Sequence, residues 1–403
     1  MNQQDKPFDG IRVVDLSRVL AGPFCGQMLA DMGADVIKIE SPEGDENRRW
    51  PPIIQEKHSC NYASVNRGKR SMTLDLKSEG GREVLHRLAQ WADVMLHSFL
   101  PKTAKNLGLD YEALSQINPK LVFCAITGYG DRGELANKPG YDLMVQAFSG
   151  AMSTTGYDGG PPTRIGVSYI DMSTGLSAYG AIASALFQRT RTQKGTQISC
   201  SLLETSVALL GYHGVSWLQA EVLPRKQGSG GVYQVPYQAF RCSDGYVMAG
   251  APNNASWARL CAALEIPEVG TDPRFQSSAA RVEQRESLIP LLERIFLAKP
   301  VAHWVAVLEA AYVAVAPIQD VGQVMQHPQV RANGLVVRCE DDDGTEAEYV
   351  GMPFKFGAAP TTHRRAPPPL GRDTIEILKH ELGFSDDHVR ALLAEATGAS
   401  AKK

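Results

Sequence analysis

The sequence lacks the features that mark several large classes of protein. No stretch is apolar enough to span a membrane, because the longest uncharged run, Met172 to Gln188, is rich in serine, glycine and alanine and is typical of a buried helix. The seven cysteines are scattered between Cys25 and Cys339, without a CxxC pair or the spacing of metal ligands. We therefore expect free buried thiols in a reducing cytoplasm, and no metal site.

An excess of charge of one sign is also missing. The formal net charge is -3, and no basic stretch is interleaved with aromatic residues, so nucleic-acid binding is not predicted. The N-terminal MNQQDKPFDG has the pattern of neither a signal peptide nor a transit peptide, which favours a cytoplasmic protein without a membrane partner. A chain of 403 residues is too long to fold around one ordinary hydrophobic core, so two domains of unequal size are expected.

The glycine-rich turn of a dinucleotide-binding fold is absent. The strand-like ADVIKIE ends in Glu40, where such folds hold a ribose, but the preceding turn reads LAGPFCGQ instead of GxGxxG. Only Gly22 and Gly26 are available, and Pro23 lies between them. NAD and FAD are therefore excluded as bound cofactors, and Glu40 is interpreted as a solvated carboxylate.

What the first third of the chain does contain is an alternation of strands and helices. The predicted strands are IRVVDLS, ADVIKIE, SMTLDL, DVMLHSF and KLVFCAITGYG, and the predicted helices are AGPFCGQMLADMG and SEGGREVLHRLAQWA. Such alternation predicts an α/β fold with a doubly wound, mostly parallel, Rossmann-like sheet.

The pattern changes after this region. ISCSLLETSVALLGYHGVSWL is predicted to be one helix, LPRKQGSGGVYQVPYQAF a connector, and FRCSDGYVMAG a hairpin that turns at Asp244 and Gly245. We predict a large domain from residues 1–220, a smaller α+β domain over 221–326, and a return to the large domain over 327–403.

Positive charges recur in loops that follow the predicted strands. They are Arg48, Arg49, Arg67, Lys69, Arg70, Lys102 and Lys105. Loops beyond the carboxyl ends of parallel strands share one crevice, where several cations would suit a polyphosphate. Ordinary solvated surface charge is the alternative for each of them.

One carboxylate stands at the start of the uncharged helical run. GVSYIDMSTGLSAYGAIASAL begins like a strand and continues as a helix, with Asp171 at the junction. An aspartate there is a good N-cap, since it accepts hydrogen bonds from the first free N–H groups. A chemical role is the other interpretation, and the residues alone leave both open.

The motifs in their order resemble the class III CoA-transferases, which include formyl-CoA transferase and α-methylacyl-CoA racemase. The segments that carry the resemblance are VVDLSRVLAGPFCGQMLADMGADVIKIESPEGDENR, NRGKRSMTLDLKSEGGREVL, ADVMLHSFLP, NPKLVFCAITGYGDRG, GYDLMVQAFSGAMSTTG, GVSYIDMSTGLSAYGAI and PPPLGRDT. They span nearly the whole chain, and their ordered combination is more specific than any one of them.

The resemblance implies that Asp171 is the nucleophile that attacks an acyl-CoA thioester and becomes an aspartyl-CoA thioester. Coenzyme A esters and a small carboxylic acid are then the substrates, and no cofactor is bound permanently. The implied contacts to CoA are Leu20, Ala21, Leu74, Asp75, Ser98, Phe99, Lys102, Lys105, Tyr141 and Asp142. A glycine loop over the intermediates corresponds to Gly228, Ser229, Gly230 and Gly231.

Departures from the family pattern limit the substrate. Leu20 stands where formyl-CoA transferases have Gln, which argues against formyl-CoA and oxalate, and Lys102 replaces the glycine of Asn-Phe-x-Pro-Gly. The segments VPYQAF and AGAPNN look most like segments of succinyl-CoA:glutarate CoA-transferase and of its relatives that act on itaconate. A dicarboxylate needs a cation for its distal carboxylate, and the candidates are Arg164, Arg225 and Lys226.

Two other functions stay open. The racemases of the family use a His where this chain has Tyr141, so racemization lacks a required base. A CoA-binding module without catalysis would result if Asp171 were only a helix cap. In either case the resemblance implies an interlocked homodimer, in which each chain passes through a ring made by the other's two domains.

Overall fold

A computed structural model of the chain describes residues 6–54, 58–356 and 365–396. Its strands are β1 (Arg12–Leu16), β2 (Asp35–Glu40), β3 (Ile53–Ile54), β4 (His58–Ser59), β5 (Arg70–Thr73), β6 (Val94–His97), β7 (Val122–Thr127), β8 (Thr196–Ser201), β9 (Tyr237–Arg241), β10 (Tyr246–Gly250), β11 (Ala314–Pro317), β12 (Val336–Glu340) and β13 (Glu346–Val350).

The helices of the first half are α1 (Ala21–Asp31), α2 (Cys60–Asn66), α3 (Glu79–Trp91), α4 (Pro101–Asn106), α5 (Tyr111–Ile117), α6 (Asp142–Phe148), α7 (Ala151–Thr154), α8 (Tyr169–Thr192) and α9 (Leu202–Leu209). Those of the second half are α10 (Tyr212–Ala220), α11 (Asn254–Ala263), α12 (Pro267–Thr271), α13 (Ser278–Glu283), α14 (Arg285–Leu297), α15 (Val301–Ala310), α16 (Val321–Gln326), α17 (Pro328–Ala332), α18 (Thr374–Glu376) and α19 (Asp386–Ala396). Short 3₁₀ turns lie at Glu46–Arg49 and Pro273–Phe275, and a π turn at Ile377–Glu381.

The chain forms two compact units. Unit 1 comprises Met1–Ser149, Gly166–Gly211 and Pro328–Lys403, and unit 2 comprises Gly150–Ile165 and Tyr212–His327. The predicted domain limit at 220/221 lies nine residues after the border at 211/212, and the limit at 326/327 lies one residue before the border at 327/328. A larger difference is the segment 150–165, which lies within the predicted large domain but belongs to unit 2.

A six-stranded parallel sheet forms the centre of unit 1, in the order β5-β2-β1-β6-β7-β8. The parallel α/β sheet predicted from the alternation of strands and helices is confirmed. The chain proceeds outward from β1 to β2 and β5, and then returns to place β6 on the other side of β1. In such sheets the crevice at this reversal, beyond the carboxyl ends of the strands, is the common ligand site.

Helices cover both faces of this sheet. Successive side chains of a strand point to opposite faces, and the buried Val13 and Val14 of β1 accordingly belong to two different hydrophobic cores. The core around Val14 includes residues of α3 and α5, whereas the core around Val13 includes residues of α1 and α8. This arrangement places α1 and α8 in the same layer, and the two helices pack against each other.

The single helix predicted over ISCSLLETSVALLGYHGVSWL is wrong at its start, and the rest of the segment is divided into α9 and α10. Its first four residues are the end of β8, which pairs in parallel with β7 from Val122↔Thr196 to Thr127↔Ser201. The hydroxyl of Ser201 then accepts a hydrogen bond from the N–H of Glu204 at 3.0 Å and caps α9. A short run of mixed polar and apolar residues does not distinguish a strand from a helix, and pairing with β7 decides between them.

Unit 2 contains the antiparallel sheet β11-β10-β9 and its own hydrophobic core. The predicted hairpin is confirmed, since β9 pairs with β10 and the N–H of Cys242 donates to the carbonyl of Gly245 at 2.8 Å. Phe240 of β9 stacks on Phe296 of α14 with ring centroids 4.4 Å apart.

Residues 6–54, 58–356 and 365–396 contain neither a candidate membrane-spanning helix nor a cluster of metal-ligating side chains. None of the helices in these ranges is sufficiently long and apolar to cross a membrane. Within the same ranges, no group of three or more His, Cys, Asp or Glu side chains is arranged to hold a metal ion.

Candidate active site

A cleft of about 240 Å³ opens in unit 1 beyond the carboxyl ends of β1, β6 and β7. We call it the Asp171 cleft. Six of the residues predicted as site residues line it: Leu20, Ala21, Ser98, Phe99, Tyr141 and Asp171. The parallel sheet brings them together because each follows a strand or begins a helix at the same edge.

Asp171 is not the N-cap of α8, contrary to the first interpretation. The segment predicted as a strand from Gly166 becomes helical at Tyr169, so Asp171 is the third residue of the helix. Ser168 precedes the helix, and its side chain makes no capping hydrogen bond. The carboxylate of Asp142, which lies on α6, caps the helix instead. Its Oδ2 accepts hydrogen bonds from the N–H groups of Ile170 at 2.9 Å and Asp171 at 3.2 Å.

The carboxyl group of Asp171 is therefore free to face the cleft. Its burial, reinforced by the negative charge of Asp142, raises the pKa of Asp171 to about 7. A carboxylate with so high a pKa is more basic than an ordinary aspartate. Perturbed carboxyl groups of this kind, in a cleft and beside a like charge, are typical of functional sites.

The loop between β1 and α1 is held in a strained conformation at the floor of this cleft. Val19 has a φ of +67°, which is rare for a β-branched residue. Its N–H donates to Oδ2 of Asp45 at 3.1 Å, and its carbonyl accepts from Nδ2 of Asn47 at 2.7 Å. Lys38 binds Asp45 in turn, with Nζ 3.1 Å from Oδ2. These buried polar groups compensate the strain and position Leu20 at the cleft.

Most cations of the predicted polyphosphate site are instead bonded inside the protein. Arg48 pairs with Glu40 at 2.6 Å, Lys69 with Asp15 at 2.8 Å, and Arg67 with Asp31. The interpretation of Glu40 as a solvated carboxylate is wrong, because this side chain is only 1% exposed. Arg70 pairs with Asp35 at 2.5 Å. Ion pairs with residues far apart in the chain could not be read from the basic segments alone.

A second cleft of about 300 Å³ lies beside the first, beyond the carboxyl ends of β1, β2 and β5. We call it the Leu74 cleft. Three predicted residues line it: Leu74, Asp75 and Phe99. The apolar side chains of Leu16, Ile39, Leu76 and Leu107 line it as well. Phe99 and Arg18 line both clefts, so the two form neighbouring parts of one site.

Three of the predicted CoA contacts lie elsewhere. Lys102 and Lys105 are exposed on α4 and do not line either cleft, although their neighbour Thr103 lines the Asp171 cleft. Asp142 is buried beneath the start of α8, and its Oδ1 accepts from Nε2 of Gln146 at 2.6 Å. The structure thus places Asp142 behind the cleft and not among the residues that line it.

Two residues of the site were missed in the sequence. Arg18 lines both clefts, and its N–H donates to Oγ of Ser98 at 2.9 Å. Its position directly after a predicted strand was the available signal. His97 is buried, and its Nδ1 accepts a hydrogen bond from the main-chain N–H of Phe99 at 3.1 Å; the two rings also stack, with centroids 6.0 Å apart. Burial lowers the pKa of His97 to about 4, so the imidazole is neutral at pH 7; no sequence pattern indicated these contacts.

The predicted substrate loop lies in unit 2. Gly228 requires glycine, because its φ is +59° and a Cβ would lie 2.4 Å from the ring of Tyr157. Oγ of Ser229 accepts from the N–H of Ala239 at 3.1 Å, and the carbonyl of Gly231 accepts from Arg285 at 2.5 Å. The position of Gly230 between them is fixed by its N–H, which donates to the carbonyl of Gln227 at 2.8 Å.

The three cations considered for a distal carboxylate also lie in unit 2. Lys226 donates from Nζ to the carbonyls of Gly160 at 3.0 Å and Pro161 at 2.7 Å, so its ammonium group already has two acceptors. Arg164 and Arg225 are exposed.

Known proteins similar to this chain identify its family. The profile of CoA-transferase family III matches residues 8–374. Human succinyl-CoA:glutarate CoA-transferase is 37% identical over 96% of this chain and 89% of its own length. The succinate–glutarate CoA-transferase of Agrobacterium fabrum is 37% identical over 94% of this chain and 96% of its own length.

A solved structure gives the same result for the fold. The crystal structure of a CAIB/BAIF family protein from Brucella suis matches with a TM-score of 0.84 and 37% identity, over 94% of this chain and 100% of that one. The chain belongs to CoA-transferase family III and is an enzyme that transfers CoA.

Proposed function

We propose that the protein transfers CoA from succinyl-CoA to a short dicarboxylic acid such as glutarate or itaconate, with Asp171 as the covalent nucleophile. The observation that carries this proposal is the position of the Asp171 carboxyl group, with its raised pKa, in a cleft that adjoins an apolar one. The similarity to enzymes named for succinyl-CoA and glutarate supports the choice of substrates.

The first half of the reaction transfers CoA to the enzyme. A carboxylate oxygen of Asp171 attacks the thioester carbonyl, the C–S bond breaks, and CoA leaves as the thiolate. The mixed anhydride is then attacked by this thiolate at the carbonyl carbon of Asp171. The donor acid leaves as a carboxylate, and Asp171 is now a CoA thioester.

The second half reverses these steps with the acceptor acid. Its carboxylate attacks the Asp171 thioester and releases the thiolate, which attacks the acceptor carbonyl of the new anhydride. The acyl-CoA product forms and the Asp171 carboxylate is regenerated. One carboxylate replaces another throughout, so the exchange is nearly balanced in energy and needs no ATP. Water must be kept out, because anhydride and thioester both hydrolyse.

The Leu74 cleft fits the adenosine end of CoA. Its apolar side chains, Leu74, Leu76 and Phe99, can pack on the flat base, and the exposed cations Arg18 and Lys77 at its lining can bind phosphates. The pantetheine arm would then lead past Phe99, which both clefts share, toward Asp171. Lys102 and Lys105 on the adjacent α4 stay predicted phosphate contacts.

Mass spectrometry tests the proposal directly. After incubation with succinyl-CoA and no acceptor, a peptide that contains Asp171 is expected to carry CoA as a thioester. Hydroxylamine should remove the CoA and convert the same residue to a hydroxamate. CoA found on another carboxylate, or bound only noncovalently, would contradict the proposed nucleophile.

The pH dependence of the reaction follows from the raised pKa of Asp171. Only the ionised carboxylate attacks, and the pKa is about 7, so kcat/KM for succinyl-CoA should be half-maximal near pH 7. Below that pH it should fall about tenfold per pH unit, because the group becomes protonated. An ordinary aspartate would keep full activity to much lower pH. A flat profile down to pH 5 would show that protonation of Asp171 does not limit the reaction.

A homodimer is the assembly that we propose, in the interlocked form that the resemblance implies. Unit 1 presents a patch of apolar side chains on the contacting helices α6 and α9, each at least 37% exposed: Leu143, Met144, Phe148, Val207 and Leu209. Soluble proteins seldom leave such patches in water. Sedimentation at nanomolar concentration should show one species of about twice 43.8 kDa. A compact, active monomer would contradict the dimer.

A further inference from the structure

The first turn of α8 depends on a side chain from another helix. The first N–H groups of a helix have no partner within it, and Ser168 supplies none here. Oδ2 of Asp142 accepts from the N–H groups of Ile170 and Asp171, at 2.9 and 3.2 Å. The nucleophile is thus bonded through its own main chain to a second carboxylate.

Asp142 is itself held firmly. It is only 8% exposed, and its Oδ1 accepts from Nε2 of Gln146, one turn along α6, at 2.6 Å. No ion pair of Asp142 or Asp171 with a cation is found within the ranges 6–54, 58–356 and 365–396. The negative charge of Asp142 is therefore not cancelled by a neighbouring cation, and it contributes to the raised pKa of Asp171.

Other charged or titratable groups surround Asp171 less directly. Those that line the cleft with it are Arg18, Glu46 and Tyr141. Those on the elements packed against α8 are Cys25 and Asp31 of α1, Cys124 of β7, Cys200 of β8 and Glu204 of α9. Among all of these groups, Asp142 is the one whose charge acts on the ionisation of Asp171.

We propose that Asp142 is a positioning residue that orients the first turn of α8 and, through its uncompensated negative charge, activates Asp171 as a nucleophile. This inference rests on the proposed function of Asp171. It replaces the predicted contact between Asp142 and CoA.

The charge balance of the attack explains the activation. Asp171 carries one negative charge before it attacks, and the thiolate of CoA carries that charge after the C–S bond breaks. Asp171 is then a neutral anhydride, so its repulsion from Asp142 is relieved as the reaction proceeds. Asp142 thus destabilises the reactant carboxylate more than the transition state, which is the condition for acceleration.

The variant Asp142→Asn separates charge from shape. An amide oxygen can still accept from the N–H groups of α8, and the Gln146 side chain can turn to accept from the new NH₂ group. We expect the midpoint of the pH profile of kcat/KM to move down by about one pH unit. The limiting rate of CoA loading onto Asp171 should fall by about threefold, because a less basic carboxylate is a weaker nucleophile.

Binding of CoA distinguishes this role from the predicted contact. The Kd for CoA should stay within about twofold of the parent value, since Asp142 does not line either cleft. An unchanged pH midpoint would overturn the proposal, whether or not the Kd changes. Asp142→Ser is the second variant, because a serine hydroxyl also accepts from helix N–H groups but carries no charge.

A measurement on the unsubstituted protein covers the case in which neither variant folds. The ¹³C carboxyl resonance that is lost in Asp171→Asn should titrate near pH 7, and a titration near pH 4 would overturn the proposal. Failure of the proposed function is recognised separately. If no CoA thioester forms on Asp171 of the unsubstituted protein, the function is wrong; if it forms with the same pH midpoint in Asp142→Asn, only this inference fails.

Discussion

Replacement of Asp171 by asparagine is expected to lower kcat for CoA transfer by a factor on the order of 10⁴ or more. The amide has nearly the shape of the carboxylate but cannot form the anhydride, so every covalent step is lost. Binding of CoA should be retained, because the side chain stays in the cleft and the contacts of the Leu74 cleft are untouched. Steady-state kinetics and calorimetric titration with CoA measure the two quantities.

Glu46 provides the matched comparison, since it is the other carboxylate among the residues that line the Asp171 cleft. Glu46→Gln should reduce kcat by less than about tenfold, because it removes a charge near the site but no bond-forming group. Equal losses in the two variants would indicate a general effect of charge in the cleft. Substantial transfer by Asp171→Asn would show that another group, or direct attack by the acceptor, carries the reaction.

Replacement of Asp15 by alanine is expected to lower the free energy of unfolding by about 3–5 kcal/mol. Asp15 lies on β1 with no exposed surface, and Lys69 donates to it at 2.8 Å. Burial opposes ionisation of Asp15, yet the charges of Lys69 and Lys38 hold its pKa below the ordinary value. Removal of this carboxylate leaves the buried ammonium group of Lys69 without its counter-charge. Urea-induced unfolding at one fixed protein concentration measures the change.

Two comparisons test the cause. Glu348→Ala breaks the ion pair between Glu348 and Arg331, in which both side chains are 42% exposed. This substitution should lower the free energy of unfolding by less than about 1 kcal/mol. The double variant Asp15→Leu with Lys69→Met should recover part of the lost stability, since it removes both buried charges. A loss of less than 1 kcal/mol for Asp15→Ala would contradict the argument.

The buried pair also shows why one glycine of α1 is required. A Cβ on Gly26 would lie 2.7 Å from Oδ2 of Asp15 and 3.2 Å from Nζ of Lys69. In the sequence, Gly26 is one of only two glycines available for a phosphate-binding turn in LAGPFCGQ. Its actual role is to leave space for the ion pair between β1 and the segment before β5.

Several features could be predicted from the order of residues, because local patterns specify them. The alternation of apolar strands with helices indicated the parallel sheet, and its topology then brought Leu20, Ser98, Tyr141 and Asp171 to one edge. The turn at Asp244 and Gly245 likewise indicated its hairpin. The motifs that resemble CoA-transferases indicated the family without any geometry.

Tertiary contacts decided the other features of the fold and the site. They join residues that are far apart in the chain, and no local sequence pattern indicates which of these residues will meet. The cap of α8 comes from Asp142, 28 and 29 residues before the N–H groups that it binds. Lys69 reaches Asp15 across 54 residues, and the strand β8 exists because β7 is beside it. Whether a charged side chain binds a ligand or a buried partner depends on which groups folding places within about 3 Å of it, as hydrogen bonds require.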